Sequence, residues 1–268
     1  MTALCPPEFV DAPLTTAPRF GLYSVATVLD NQARAACGVF YLPEAIAPSG
    51  FVYQAQCGSS NALAHLGDEP DEVIGDGFWV VTGVTCLYDD IEARAAQRMA
   101  LDEQALVERE LWTGALGTKP EFDAAGTQKL SATPVSLAVG VGLLEAYLGD
   151  TYNGQGVIHS SRLVAPAAGR DLIVSQSGGR MSTLLGTPWA FGQGYSVNTG
   201  PGGAAASAGT AWLYATGQVV VRRGDLFKST VEQALNRSTN NIELVVQRPV
   251  TVTVDGILAA VQVELDNA

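Results

Sequence analysis

The strongest periodic pattern in the chain predicts one long helix over residues 89–114. Asp89 and Asp90 suit a helix N-terminus, good helix formers follow them, and Gly114 or Gly117 ends the run. The apolar positions of one face are Ala96, Ala100, Val107 and Leu111, and the polar positions are Glu92, Arg94, Arg98, Asp102, Glu108 and Arg109. At about 1.5 Å per residue, such a helix measures roughly 35 Å and spans a whole domain.

The acids of this helix are expected to form a solvated face. Asp102, Glu103, Arg109 and Glu110 are placed to make exposed ion pairs. Each such pair contributes only about a few tenths of a kcal/mol.

Two further helices are predicted in the middle of the chain. One begins at Thr133–Pro134, since a capping residue followed by proline is a typical helix start, and ends near Gly149. Its apolar stripe consists of Leu137, Val141, Leu144 and Leu148. A shorter helix is expected within 160–173, with Ser160 and Ser161 interpreted as its caps.

Alternating apolar and polar residues predict β-structure elsewhere. A first strand is expected within 21–30, and the pattern is mainly β from about residue 182 onward, over 182–192, 211–223 and 241–254. The sharpest signal is a closing hairpin, in which valines alternating with threonines lead into a turn at Asp255–Gly256 and an alternating strand returns. These elements together predict an α+β fold.

Two stretches lack any periodic pattern. Residues 1–20 hold four prolines, which indicates an extended arm. Residues 44–78 mix glycine, proline, serine and acids, and so long an irregular stretch tends to be functional or to pack on something else.

Composition and charge narrow the function. The 268 residues carry 27 Asp and Glu against 15 Lys and Arg, for a net charge of −12. Nucleic-acid binding through phosphates favours clustered cations, and only Arg222–Arg223 forms such a pair, so sequence-specific DNA binding is not expected. The first residues carry no leader pattern and no stretch has the roughly 18 to 20 apolar residues that span a bilayer, so we expect a soluble protein made in the cytoplasm. Cys5, Cys37, Cys57 and Cys86 are scattered and are interpreted as reduced or buried thiols.

Candidate chemistry is sparse. The two histidines, His65 and His159, lie outside any hydrolase or metal motif. The acidic stretch 68–73 lacks the spacing of a calcium loop, and the RGD sequence at 223–225 is interpreted as a turn. The sequon at 236–238 has no secretory context, and Trp79, Trp112, Trp189 and Trp212 are interpreted as core or interface anchors. No catalytic, cofactor-binding or metal-binding residue is therefore assigned.

The glycine-rich stretch 192–209 invites a phosphate-binding interpretation. A P-loop requires a lysine, and none occurs between 130 and 227. A dinucleotide fingerprint requires a helix after its glycines, whereas Tyr195–Val197 is strand-like and Gly200 is the third glycine. The stretch is instead interpreted as a strand end, a turn at 200–203 and a small-residue linker.

The order of these elements resembles the major capsid proteins of tailed bacteriophages, with the HK-ninety-seven-like (Johnson) fold that encapsulins share. Three kinds of stretch carry the resemblance: the glycine-ended long helix at 100–117, the helix-to-strand run at 154–166 and 178–195, and the late strands at 212–227 and 236–254. The resemblance covers essentially the whole chain. It implies an N-terminal arm (1–20), an E-loop-like extension (44–80), an A-domain (125–239) and a P-domain with the spine helix 89–114 and a closing β-hairpin (21–43, 81–124 and 240–268).

The resemblance implies a structural function and no enzymatic one. Copies of the chain would form pentamers and hexamers and close into an icosahedral shell around double-stranded DNA, as a virion capsid assembled in the bacterial cytoplasm. The extension would bury Phe51, Val52, Tyr53 and Leu66 on a neighbouring copy. A-domain loops would gather near the symmetry axes, where the small, bendable residues of 192–209 would let one sequence serve fivefold and sixfold rings. Portal, scaffolding and decoration proteins would be the partners, with no membrane and no cofactor. The lysine-to-asparagine cross-link of some relatives is not expected, since no lysine precedes Lys119.

Three alternatives remain from the sequence alone. An encapsulin-type nanocompartment shares the fold but encloses protein cargo. Another virion component, such as a tail or decoration protein, is a second alternative. A small hydrolase that uses His159 or the acids is the third.

Overall fold

The computed structural model describes residues 15–43, 73–85, 91–229, 235–236 and 241–265, and within them lie three α-helices and eighteen strands. This mixture confirms the expected α+β class. The N-terminal arm up to residue 14 and most of the E-loop-like extension, residues 44–72, lie outside the described residues.

The helices are α1 (Ile91–Thr113), α2 (Leu137–Thr151) and α3 (Ala165–Arg170). The long helix is confirmed over the described residues, and Gly114 with φ 53° follows its last residue. The predicted start of the second helix was wrong by three residues, because Val135 and Ser136 pair with a strand instead. The apolar stripe predicted for α2 is buried as expected.

A first sheet of six strands lies against α1. Its members are β1 (Thr27–Leu29), β4 (Gly77–Thr85), β14 (Val219–Arg223), β15 (Phe227–Lys228), β16 (Leu235–Asn236) and β17 (Asn241–Val254). The central strand β17 pairs antiparallel with β4 over nine positions, from Glu243↔Thr85 to Thr251↔Gly77. The stretch predicted to be irregular up to residue 78 therefore already contains ordered strands from Val73 onward.

A second sheet of six strands carries α2 and α3. Its members are β5 (Gln128–Lys129), β6 (Val135–Ser136), β7 (Val157–Ser161), β10 (Trp189–Gly192), β13 (Thr210–Thr216) and β18 (Leu258–Glu264). The serines predicted as helix caps instead lie in the buried strand β7, where Ser160 Oγ accepts a hydrogen bond of 2.8 Å from Trp189 Nε1. Pro166 lies in the first turn of α3, where the backbone N–H that proline lacks would have no partner within the helix.

Three two-stranded ribbons complete the described structure. They are β2 (Val39–Tyr41) with β3 (Val73–Gly75), β8 (Val174–Ser177) with β9 (Arg180–Thr183), and β11 (Thr199–Gly200) with β12 (Ala204–Ala205).

The predicted closing hairpin was wrong, because β17 and β18 do not pair and belong to different sheets. The strand β17 pairs with β14, and β18 pairs with β13, which precedes β14 in the chain. Two antiparallel chain segments therefore pass together from one sheet to the other, with Val219↔Val254 on one side of the bend and Thr216↔Leu258 on the other. The N–H of Asp255 donates to the carbonyl of Gln218 across the bend at 2.9 Å. Asp255–Gly256 is a corner of this bent ribbon.

The core has two parts, one on each face of the second sheet. Helix α1, the inner face of the first sheet and one face of the second sheet enclose aromatic side chains, among them Trp112, Phe122, Tyr195 and Tyr214. Helices α2 and α3 cover the opposite face with aliphatic residues such as Leu144 and Leu213. The rings of Trp112 and Tyr214 meet edge to face with centroids 4.8 Å apart, a favoured aromatic geometry.

Candidate assembly site

Around Trp79, the outer face of the first sheet carries apolar side chains that remain about half exposed, whereas Thr251 and Thr253, farther along the same face, are buried. Along β4, Phe78 and Val80 point inward and are buried, whereas Trp79 and Val81 point outward. Phe227 of β15 lies on the same side, and its ring centroid is 5.6 Å from that of Trp79. Trp79 is 43% exposed and Phe227 is 50% exposed. We call Trp79, Val81, Phe227 and Val245 the outer sheet face.

A second exposed apolar surface lies on the ribbon of β2 and β3. Phe40 and Ile74 are directly opposite each other in the register, and Phe40 is 68% exposed. The ribbon is fastened to the first sheet by the Tyr41 hydroxyl, which donates to the carbonyl of Val254. Both strands of the ribbon lead directly to residues 44–72, so the root of the predicted extension is held firmly on the sheet.

A third exposed surface is a groove of about 490 Å³ beside α2. Leu184 and Leu185 from the turn after β9, and Leu172 from the turn after α3, are largely exposed around it. Leu172 has φ 54°, a left-handed conformation that is unfavourable for a branched residue. Exposed contiguous apolar surface of this kind marks contacts with another macromolecule.

The solvated face predicted for the long helix was wrong for three of its acids. Glu103, Glu108 and Glu110 are buried. Glu103 accepts hydrogen bonds from Arg223 at 2.9 Å and from Arg248 at 2.6 Å, and the hydroxyl of Tyr23 donates to it at 2.9 Å. These partners lie far away in the sequence, so spacing along the helix could not reveal them.

The other two buried acids bind backbone N–H groups. Glu108 accepts from Leu22 N and from Gly194 N, each at 2.8 Å. Glu110 accepts from Leu116 N at 2.9 Å and from the Thr118 hydroxyl at 2.7 Å, which closes the turn after α1. A sequence signal for these roles is the presence of three acids among the apolar residues of the second half of the helix.

His159 is a core residue. It is 0% exposed, and its two ring nitrogens contact the Tyr195 hydroxyl at 3.1 Å and the Thr216 hydroxyl at 2.9 Å. Burial lowers the pKa of His159 to about 3, so the ring is neutral. With both nitrogens occupied and no solvent access, His159 cannot reach a substrate, which argues against the hydrolase alternative at this residue. His65 lies outside the described residues.

The remaining sequence candidates do not converge on a site. The acidic stretch 68–73 is almost wholly outside the described residues, as are Cys5, Cys57 and Cys86. Cys37 is exposed, and among the described residues no group of three or more potential metal ligands occurs. Arg223 of the RGD sequence ends β14 and forms ion pairs with Asp30 and Glu103. No helix in the described part of the chain is long and apolar enough to cross a membrane.

The glycine-rich stretch is packed more closely than its composition suggests. Residues 194–197, predicted to be strand-like, form a short 3-10 turn against α1. A Cβ at Gly194 would lie 2.1 Å from the carbonyl oxygen of Ala105, and one at Gly200 would lie 2.1 Å from the ring of Trp212. The turn expected at 200–203 is present, and it joins β11 to β12. These glycines allow close backbone approach within the chain, which fits the rejection of a phosphate site.

Comparisons with known proteins were informative only at the level of structure. No protein-family model matches the sequence, and no curated protein matches it. Many solved structures match the chain, and three of them are described by their alignment with nearly its whole length. The capsid of a native GTA particle aligns with a TM-score of 0.58 at 16% identity, covering 98% of this chain and 96% of that one.

The other two structures come from a phage and from an encapsulin. The Microbacterium phage Oxtober96 structure has a TM-score of 0.54 at 12% identity and covers 97% of this chain and 96% of its own. The holo-SrpI encapsulin of Synechococcus elongatus has a TM-score of 0.55 at 12% identity and covers 98% and 94%. At this identity the likeness concerns the fold. The chain therefore has the HK-ninety-seven-like fold of phage capsid-shell proteins and encapsulins.

Proposed function

We propose that this chain is the structural subunit of an icosahedral phage capsid, which assembles into pentamers and hexamers around double-stranded DNA. The observation that carries the proposal is the near-complete mutual coverage with capsid structures, 98% and 96% in the case of the GTA capsid. A fold alone does not determine function, so the proposal depends on the assembly test given below. The shell would be assembled in the bacterial cytoplasm, with portal, scaffolding and decoration proteins as possible partners.

The exposed apolar surfaces support this proposal. Closed shells built from one chain need repeated contacts between different patches of identical copies. The outer sheet face, the ribbon of Phe40 and Ile74, and the groove beside α2 are three such patches on one chain. We assign the ribbon to the root of the E-loop-like extension (44–80), which would lie on a neighbouring copy together with the N-terminal arm (1–20).

The proposed domain division follows the two sheets only in part. The P-domain would contain the spine helix α1 with β1, β4 and β17 of the first sheet, and the A-domain (125–239) would contain α2 and α3 together with β14, β15 and β16 of the first sheet. Strand β18, from the C-terminal part of the proposed P-domain, pairs with β13 of the proposed A-domain. The two parts of the subunit are therefore joined by the bent ribbon.

An encapsulin-type nanocompartment is the second candidate, because the encapsulin structure aligns about as well as the capsids. Its shell would enclose protein cargo. The net charge of −12 agrees with a shell that does not bind its packaged DNA tightly, although an encapsulin would also tolerate it.

Electron microscopy of the purified protein tests the proposal. We expect closed shells, and nuclease-protected DNA in particles purified from infected or producing cells. Shells that contain protein cargo and no nucleic acid would favour the encapsulin. Tubes would favour a tail component, and monomers that never assemble, even with co-expressed phage proteins, would contradict both shell proposals.

A further inference from the structure

One buried carboxylate connects three separate parts of the chain. Glu108 lies in α1 and is 0% exposed, and its two oxygens accept hydrogen bonds from different backbone segments. Leu22 N belongs to the segment that follows the N-terminal arm, and Gly194 N belongs to the turn after β10. Both bonds are 2.8 Å long.

Three glycines leave room for this carboxylate, because a side chain at any of them would overlap with Glu108. A Cβ at Gly21 would lie 2.3 Å from Glu108 Oε1, and one at Gly192 would lie 2.8 Å from its carboxyl carbon. At Gly194 a Cβ would lie 2.7 Å from the Cβ of Glu108. Side chains at these three positions would push the two backbone segments away from the helix. Glycine at each position therefore lets the segments come within hydrogen-bonding distance of the carboxylate.

The segment held by Glu108 is the root of the N-terminal arm. Leu22 is fully buried, and the Phe191 N–H donates to the carbonyl of Phe20 at 2.7 Å. Arg162 donates to the carbonyl of Arg19 at 2.8 Å, and Tyr23 N donates to the Gln104 side chain at 3.3 Å. The backbone from 19 to 23 therefore has one fixed position on α1 and β10, and it determines where the arm leaves the subunit.

We propose that Glu108 is a positioning residue for shell assembly, because its carboxylate fixes both the root of the arm and the turn 193–197 on the long helix. This inference rests on the proposed shell function, in which the arm reaches neighbouring copies. Replacement of Glu108 would leave the two sheets folded but free the direction in which the arm departs.

Hydrogen exchange measured by mass spectrometry tests the inference on the full chain. The probes are the peptides that contain the amides of Leu22 and Gly194. In Glu108→Gln, a side-chain NH₂ group replaces one carboxylate oxygen and cannot accept a hydrogen bond from the backbone N–H that faces it. At least one of the backbone amides of Leu22 and Gly194 should therefore exchange about 10 to 100 times faster, which is the effect of losing a charge-assisted hydrogen bond.

Glu110→Gln is the matched control. Glu110 is buried on the same helix, but one of its oxygens makes both contacts with the turn, so glutamine can keep them. We expect this variant to retain wild-type protection of both amides and to form shells, whereas Glu108→Gln should remain folded with far fewer shells. Unchanged exchange at both amides in Glu108→Gln overturns the positioning role, and normal shells despite faster exchange overturn its importance in assembly.

Two further outcomes are also decisive. If Glu108→Gln does not fold, Gly192→Ala decides, because its Cβ would lie 2.8 Å from the carboxyl carbon of Glu108; unchanged exchange at both amides in that variant overturns the inference. If the wild type forms no shells, the proposed function fails, while the exchange result still decides whether Glu108 holds the two segments.

Discussion

A Val81→Lys substitution on the outer sheet face should abolish shell assembly and leave the subunit folded. The Val81 side chain points outward from the middle of β4, two residues from Trp79 on the same face, and Gln247 of β17 lies between Val81 and Phe227 in the register. Roughly half of the Trp79 ring and of the Phe227 ring is exposed, so a neighbour that covers both would remove about 150–250 Å² from water. At about 25 cal/mol per Å², this burial contributes about 4–6 kcal/mol before the entropy cost of association.

A lysine ammonium beneath such a contact would be buried without a partner, at a cost of about 3–5 kcal/mol. Each contact would therefore be weakened by about a hundredfold or more. In the isolated subunit the new side chain extends into water, so the free energy of unfolding should fall by less than about 1 kcal/mol.

The assay combines sedimentation and electron microscopy of shells with thermal unfolding of the subunit. Thr85→Lys is the matched control, because Thr85 is an exposed residue of the same strand and face, about 13 Å farther along at about 3.4 Å per residue. We expect shells from Thr85→Lys and none from Val81→Lys. Wild-type shell yield from Val81→Lys would refute the assignment of the outer sheet face to an inter-subunit contact.

Three other substitutions or conditions test the buried features by unfolding measurements. Gly194→Ala should destabilise the subunit by about 1–3 kcal/mol, since its Cβ would meet the backbone of Ala105 at 2.1 Å; unchanged stability would mean that the turn moves freely. Glu103→Ala removes the ion-pair partner of Arg248 and one of the two partners of Arg223, and it should cost about 3–5 kcal/mol, whereas Asp102→Ala on the exposed side should cost less than about 0.5; equal effects would contradict the ion cluster. The lowered pKa of His159 means that stability is fully present above pH 6.5 and is lost below it toward about 3, with a slope that reaches about 1.4 kcal/mol per pH unit; His159→Gln should reduce this slope, and an unaltered slope would assign the acid sensitivity to other groups.

Local sequence signals predicted the elements that depend on local interactions. The helix over 91–113 and the stripe of α2 follow from spacing alone, because a helix places residues three and four apart on one face. The late strands were also predicted. Alternation along β17 reflects packing on a sheet, whereas β13 is an unbroken run of buried residues from Ala211 to Thr216. Such patterns report which side of an element is covered but contain no information about the element that covers it.

The failures concern distant partners. Glu103 looks like a surface residue until Arg223 and Arg248, which are 120 and 145 residues away, are placed beside it. The Asp255–Gly256 step has the composition of a hairpin turn, but Val254 already pairs with Val219 of another strand. The threonines that alternate with the valines of β17 are buried as well, as Thr251 and Thr253 show, so both faces of this strand are covered. Such a strand belongs in the interior of a sheet, and not in a terminal hairpin that exposes one face to water.

The glycine-rich stretch shows how composition can be misinterpreted in two opposite ways. Glycine suggested phosphate binding, which the sequence excluded, and then flexibility at a symmetry axis. Gly194 and Gly200 instead allow the backbone to approach α1 and the Trp212 ring, and neither position tolerates a Cβ. Adaptability between fivefold and sixfold rings would therefore have to come from the exposed residues 202–209, where a Cβ at Gly202 or Gly203 meets nothing within 4 Å. Both of those glycines have positive φ, 80° and 72°, so even there the requirement is a particular turn conformation as well as free space.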